Sequence, residues 1–404
     1  MNKVQRSLLD ILCLTQDEIN LELSASEWQA IYQLAKGQHI APFLYSRLKS
    51  GSYQVPDKAL AALKTSFLQN TGRNLGMMMA FQQLSERVEM QKIPMIPLKG
   101  IFLANAVYQN VGERVIGDLD LLVPKTQIVQ AFEVAEQIGY EATRQPVVEE
   151  WLASKHQLCP QVHHQNGVTL EWHWHVFPPS QNHRLSIHEL WERAESIVVS
   201  NQPVLALSPE DTVLHLTNHI SYHHHFLFGL RNLIDLMLFC QKFEAALDWD
   251  CIGSRAKRWQ IDKGGFVALR IAKRFFEAPI PEAFFAKFEP EGFDNIHVER
   301  GIEQLFVLPA HARAIPMTLQ KVQSETGPIN QGRELYRALF PTPTWMAARY
   351  GIEPDSMPRW QMFLHRWRSL ARQALMKMSE GREGKTAVST ILARRKKLKQ
   401  WLQG

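Results

Sequence analysis

Long apolar runs, paired cysteines and repeats are all missing from this chain. No stretch approaches the roughly 18 apolar residues needed to cross a bilayer, so no transmembrane segment is expected. The opening Met1-Asn2-Lys3-Val4 leads into an apolar run broken at Asp10, which does not read as a secretory signal. The four cysteines, Cys13, Cys159, Cys240 and Cys251, lie far apart without a CxxC pair. That argues against a disulfide framework and a cysteine zinc site, and a cytoplasmic location is expected. There is no low-complexity stretch and no obvious internal repeat.

What remains is an ordinary globular composition. The 404 residues suffice for two or three domains, and the 45% apolar and 21% charged shares are those of a soluble protein. The net charge of +5 is uneven: residues 359–404 hold 12 Lys or Arg against 2 Glu, leaving the rest net negative. At the end, Arg394, Arg395, Lys396, Lys397 and Lys399 adjoin Leu398, Trp401 and Leu402. Such a basic amphipathic helix suits an anionic membrane surface, RNA or an acidic partner, with a solvated helix face as the bland alternative.

Periodicity divides the chain. Residues 1–90 read as a helical region, with Trp28, Ile31, Leu34 and Ala35 and then Leu60, Leu63, Phe67 and Leu68 at helical spacing, joined by Gly51 to Pro56. The character changes at Ile93. Ile93 to Leu98, with two prolines, suits a strand near a sheet edge. Lys99-Gly100 turns into a short helix, a polar loop follows, and Asp118 to Val123 forms a strand. Lys125-Thr126 opens a helix with an apolar stripe of Ile128, Ala131, Phe132, Ala135 and Ile138, stopped by Gly139. Asn166-Gly167 then joins two strands, Gln157 to His164 and Val168 to Val176, as a hairpin. From Ser208-Pro209-Glu210-Asp211, a capped helix start, the pattern is mainly helical. It is interrupted by loop-rich stretches at Gly327–Asn330 and Pro341–Pro358. The expected divisions are 1–90, a core at 91–207, a helical domain at 208–358 and a basic helical tail at 359–404.

The chemistry sits in the middle. Asp118 and Asp120 are two apart on a strand and share a face, while Leu119 and Leu121 point into a core. Such a pair invites a cation, and Mg2+ with its preference for oxygen ligands is the natural guest. Glu171, on the polar face of the hairpin strand, is the candidate third carboxylate of a two-metal site. A lone Asp-x-Asp would more often be a plain strand end, and it is the setting that raises its weight. At Lys99-Gly100 a glycine lets the backbone approach a ligand, a helix N-terminus favours an anion and the lysine adds charge, so a triphosphate is the expected guest. The bland reading is a connecting turn.

Taken together, Pro97-Leu98-Lys99-Gly100, Arg114 and Gly117-Asp118-Leu119-Asp120-Leu121-Leu122-Val123 resemble the bacterial uncharacterised nucleotidyltransferase family of the polymerase-beta-like superfamily. Leu170 to Trp174 is similar to that family's later acidic-x-His strand, and Arg231 to Asp235 to its Arg-to-Asp helix. The similarity extends to Leu339-Phe340-Pro341 and the basic end. The resemblance implies an α+β fold: a small mixed β-sheet core with flanking helices, an N-terminal helical region and a C-terminal helical domain. It implies Asp118, Asp120 and Glu171 as catalytic metal ligands for Mg2+, two ions with Mn2+ as the alternative. It further implies Lys99, Gly100 and Arg114 as contacts to an NTP. Lys-Gly stands where the wider superfamily has Gly-Ser, a departure that implies a different manner of holding the triphosphate.

Other residues are open to two readings. His173 shares the face of Glu171, as a substrate contact or as a hydrogen-bonded strand histidine. Arg231 and Asp235 lie one helical turn apart, as a structural ion pair or as a phosphate or acceptor clamp. His215, His219 and His223 fall on one helix face, as a polar wall near the cleft or as a zinc site. The expected reaction moves an NMP from an NTP to an acceptor (peptide, sugar, small molecule or tRNA) with release of pyrophosphate. The alternatives are a toxin-like tRNA nucleotidyltransferase and a non-catalytic NTP-binding accessory protein.

Overall fold

The structure, a computed structural model, describes residues 1–13, 22–51, 53–142, 155–179, 181–227, 229–306, 358–378 and 396–402, with isolated positions between them. Gly327–Asn330, most of Pro341–Pro358, and Arg394 and Arg395 lie outside the described residues. Two compact units are formed, Met1–His224 with Phe228–Val298, and His225–Leu227 with Glu299–Gly404.

The first unit opens with helices α1 (Lys3–Leu12), α2 (Ala25–Gly37), α3 (Ala41–Ser50) and the long α4 (Asp57–Met90). Ser24 caps α2 by accepting from the Glu27 N–H, and the Glu27 carboxylate reaches back to the Ser24 N–H. On α4 the buried face runs through Leu63, Asn70, Asn74, Met77, Phe81, Leu84 and Val88. Leu68 belongs to the helical spacing of the sequence but is 56% exposed.

β1 (Ile96–Pro97), α5 (Lys99–Ala106), β2 (Leu119–Leu122), α6 (Ile128–Gln137), β3 (Tyr140–Ala142), β4 (Gln161–His163) and β5 (Thr169–His173) build the core. The sheet order is β1-β2-β5-β4-β3, with β2 and β5 parallel and the other neighbours antiparallel. This is the small mixed sheet of an α+β protein. Pro97 lies on an edge strand, where a missing N–H costs no ladder bond. β2 is fully buried, as a parallel-paired central strand should be. Trp172 on β5 is buried with its indole N–H satisfied by Gln161 Oε1 at 2.9 Å. Gly139 ends α6 at φ +96, a conformation that suits glycine.

α7 (Ile187–Glu192) and the hairpin β6 (Glu195–Val199) and β7 (Gln202–Ala206) follow. Then come α8 (Pro209–Asn218), α9 (Gly229–Lys242), α10 (Trp249–Arg258), α11 (Asp262–Phe276), α12 (Glu282–Lys287) and α13 (Asn295–Leu305). Ser208 caps α8 through the Asp211 N–H, with Pro209 at the first helical position. A single π-helical turn, His219–His223, continues α8.

In the second unit, α14 (Arg359–Met378) sets Phe363 and Trp367 edge-on to Phe340, with ring centroids 5.4 and 5.7 Å away. Residues 396–402 are helical, with Leu398 and Leu402 buried and Lys396 and Lys397 exposed. Among the described residues no helix is long and apolar enough to cross a membrane.

Candidate active site

Asp120 lies on β2, inside the sheet between β1 and β5. On one flank the Leu98 N–H donates to the Asp120 carbonyl at 2.8 Å, so Lys99 begins α5 beside this residue. On the other flank the parallel register sets Asp120 opposite Glu171. Lys99 Nζ stands 3.1 Å from Asp120 Oδ2, and His173 Nε2 stands 2.9 Å from Oδ1. His173 is also 3.8 Å from Glu171 Oε2, the oxygen that accepts from Gln157 Nε2 at 2.7 Å. The face of β5 that bears these polar groups is therefore half-buried to buried rather than solvated.

The turn into α5 is conformationally costly. Lys99 has φ +44, a left-handed conformation worth roughly 1–2 kcal/mol of strain for a side chain with a Cβ. At Gly100 an added Cβ would lie 3.1 Å from Ile116 Cγ2 and 3.3 Å from Arg114 Nη1. Glycine thus lets the start of α5 close against the loop that feeds β2.

Charge is arranged around Asp120. Burial alone would raise its pKa, but the Lys99 ammonium and His173 outweigh it and hold the carboxyl well below its ordinary range. Asp118 and Glu171 are raised, first by burial and then by the negative charge of Asp120. The centre therefore has one firmly ionised carboxylate flanked by two that ionise more readily once further positive charge arrives. Carboxylates suit a hard divalent cation, which takes oxygen ligands. The tightest ligand group here is Asp120, Glu171 and His173, whose ligand atoms lie within 4.8 Å of one another. Asp118, two residues before Asp120, stands outside that trio.

A second layer lies behind. Asp235 on α9 does not pair with Arg231 one turn away. It takes Arg114 in a two-pronged ion pair, Nε to Oδ1 and Nη2 to Oδ2, both at 2.8 Å, and accepts from Tyr108 Oη at 2.7 Å. Local spacing favours the i,i+4 pair, but the planar guanidinium of Arg114 matches both carboxylate oxygens at once. Arg231 donates to the Val115 carbonyl at 3.3 Å, and its buried Nε has no hydrogen-bond partner. Asn70 and Asn74 of α4, which the sequence pattern did not single out, hold the loop before β2. Asn70 donates to the carbonyls of Gly112 and Arg114, and Asn74 to those of Val111 and Arg114. A polar pair at i,i+4 on an otherwise apolar helix stripe was the available signal.

A cleft of about 470 Å3 lies between α4 and the β4–β5 turn, lined by Gly72, Arg73, Gly76, Gly117, Asn166 and Gly167 among others. Of the segment carrying the acidic pair, Gly117 is the residue that reaches it.

Asp120 on β2, Asp118 just before that strand, Glu171 on its parallel neighbour and a Lys-Gly helix start are thus brought to one place in the fold. The chain belongs to the uncharacterised nucleotidyltransferase family, whose model matches residues 24–277, and is thus a transferase of phosphorus-containing groups. The match includes the whole five-stranded sheet and α9, and stops short of Leu339-Phe340-Pro341 and the basic end. Comparison with curated proteins and with solved structures gives no match.

Buried histidines near the centre make stability depend on pH. Burial, and after it the Lys99 charge, presses His215 down to about 3, and burial with His173 does the same to His156. The unfolded chain takes up a proton near the ordinary histidine value of 6.5, whereas the folded chain refuses it until about 3. Stability is therefore full above pH 6.5 and falls on acidification through that window, by up to about 1.4 kcal/mol per pH unit for each histidine. Asp118 and Glu171 act in the opposite sense, so the informative quantity is the difference between the wild type and His215→Gln. Urea unfolding at pH 7 and pH 5 should show the variant losing less by about 2 kcal/mol. Equal losses would refute a neutral buried His215.

Proposed function

We propose that this protein moves an NMP from an NTP to an acceptor at the centre formed by Asp118, Asp120 and Glu171. The observation that carries this reading is Asp120 in register with Glu171 on one side and beside Lys99 on the other, in a member of a nucleotidyltransferase family. Asp118, Asp120 and Glu171 would hold one or two divalent cations, Mg2+ or Mn2+. A cation bound there supplies charge neutralisation of the triphosphate and of the leaving pyrophosphate. Lys99, the start of α5 at Gly100, and Arg231 would bind the phosphates. Arg114, clasped by Asp235, fixes the loop that delivers Asp118. His173 orients the Asp120 carboxylate through its ring nitrogen. In the transfer an acceptor oxygen or nitrogen bonds to the α-phosphorus, the bond to the bridging oxygen breaks, pyrophosphate leaves and the acceptor gives up a proton.

The test is incubation of the full chain with each NTP in labelled form, Mg2+ or Mn2+ and cell extract. Mass spectrometry then reads whether the nucleotide lands on RNA, peptide or a small molecule. Binding of NTP without pyrophosphate release under every condition would overturn the enzymatic reading in favour of an accessory role.

Lys99 acts as an internal counter-ion for Asp120 in this arrangement. Lys99→Met should destabilise the metal-free protein by on the order of 2 kcal/mol, less than for a fully buried pair because Lys99 retains some solvent. Added Mg2+ or Mn2+ should then raise the melting temperature of the variant more than that of the wild type, since the cation takes over the ammonium's place. Equal metal-induced shifts would contradict a shared position.

A further inference from the structure

We propose that His219, His223 and His224 form a second metal site, one for a late first-row divalent ion of the Zn2+ class. The π-helical turn is what assembles it. In a regular α-helix residues five apart diverge, but here the His224 N–H donates to the His219 carbonyl at 3.0 Å and sets their two rings together. The Nε2 atoms of His219 and His224 lie 3.1 Å apart, and His223 Nδ1 or Nε2 joins them within 4.8 Å. Zinc–imidazole bonds of about 2.0–2.1 Å in a tetrahedron place ligand nitrogens roughly 3.3 Å apart, close to this spacing. The ring centroids converge in the same way, at 4.3 Å for His219–His224 and 4.9 Å for His223–His224.

The donor chemistry separates this site from the carboxylate centre. Imidazole nitrogens suit zinc, cobalt or nickel, whereas carboxylate oxygens suit magnesium or manganese. Burial is the main cause that keeps His219 neutral at pH 7, which is the ligating form. His219 and His224 are half-buried and His223 is exposed, so three ligands hold the ion and the fourth position opens to solvent. The His223 imidazole feels the charges of Lys99, Asp120 and His173, which places this open position within electrostatic reach of the transfer centre. Its ligand class is an oxygen donor, water in the resting protein.

The experiment uses tag-free, full-length protein stripped with a chelator and titrated with Co2+, with visible absorption reporting tetrahedral coordination and Zn2+ as competitor. The expected result is one equivalent of tetrahedral Co2+, displaced by Zn2+. It should be retained in the Asp120→Asn/Glu171→Gln double variant and bound at least about tenfold more weakly by His223→Gln, an exposed position whose change leaves packing intact. Absence of the tetrahedral band in the wild type would overturn the proposal. So would its survival at full affinity in His223→Gln/His224→Gln, or its loss in the Asp120→Asn/Glu171→Gln variant, which would locate the ion at the carboxylates. Because the readout is metal binding, it stands or falls separately from nucleotide transfer.

Discussion

Asp120→Asn should abolish pyrophosphate release, a fall of at least about a thousandfold or on the order of 4 kcal/mol in transition-state stabilisation, while the chain stays folded. Asparagine keeps the shape of the side chain and an oxygen that can accept from His173 at the 2.9 Å contact. What it loses is the one carboxylate that its surroundings keep firmly ionised. Asp118 and Glu171 cannot replace it, because burial raises both and each ionises at the expense of its neighbours. Affinity for Mn2+ provides a readout that needs no knowledge of the acceptor, and it should weaken along with turnover. Far-UV circular dichroism and a cooperative melt check the fold. Wild-type turnover in the Asn variant would remove Asp120 from the chemistry altogether.

Much of this centre was legible in the sequence because strands alternate. The two-residue spacing of Asp118 and Asp120, the apolar Leu119 and Leu121 between and after them, and the Asn166-Gly167 turn all follow from local rules. Those rules also gave the edge position of Pro97 and the cap at Ser208. They do not state that β5 lies parallel to β2, the pairing that brings Glu171 beside Asp120. That pairing is a long-range choice, made by the fit of Leu170 and Trp172 into the same buried layer as Leu119 and Leu121. The same limit explains Asn70 and Asn74. A helical stripe is read by its apolar members, whereas these two are buried because the loop before β2 has carbonyls that need donors. The histidine face was drawn for an α-helix, as His215, His219 and His223. One π-helical turn replaces His215 by His224 in the cluster, and no spacing rule anticipates it. The Arg231–Asp235 spacing misled for a related reason, since a better-shaped partner was available 121 residues away.

That distant partner carries the other large expectation. Asp235→Ala should lower the free energy of unfolding by about 3–5 kcal/mol, a large share of the roughly 5–15 kcal/mol that holds a typical domain together. Asp235 is 1% exposed and Arg114 is 4% exposed, so neither charge can turn to water when the other is removed. Tyr108, whose hydroxyl donates to the same carboxylate, would also be left without its acceptor. Arg231 lies near enough for its charge to act against that of Arg114, and with Asp235 gone two guanidinium groups would face each other with no anion between them. The strain would pass to the loop at Val111–Val115, which both arginines and both α4 asparagines hold, and from there to Asp118 at the mouth of the acidic centre. Asp235→Ala should therefore weaken NTP binding as well as the fold, although Asp235 touches neither metal nor phosphate in the proposed reaction. Replacing both partners, as in Arg114→Met/Asp235→Leu, should recover most of the lost stability by removing the uncompensated charge, and it should not recover activity, because the loop would then be packed rather than clasped. Urea denaturation of the two variants beside the wild type decides the matter. A cost below about 1 kcal/mol for Asp235→Ala, the range of a surface ion pair, would mean that this clasp does not hold the site.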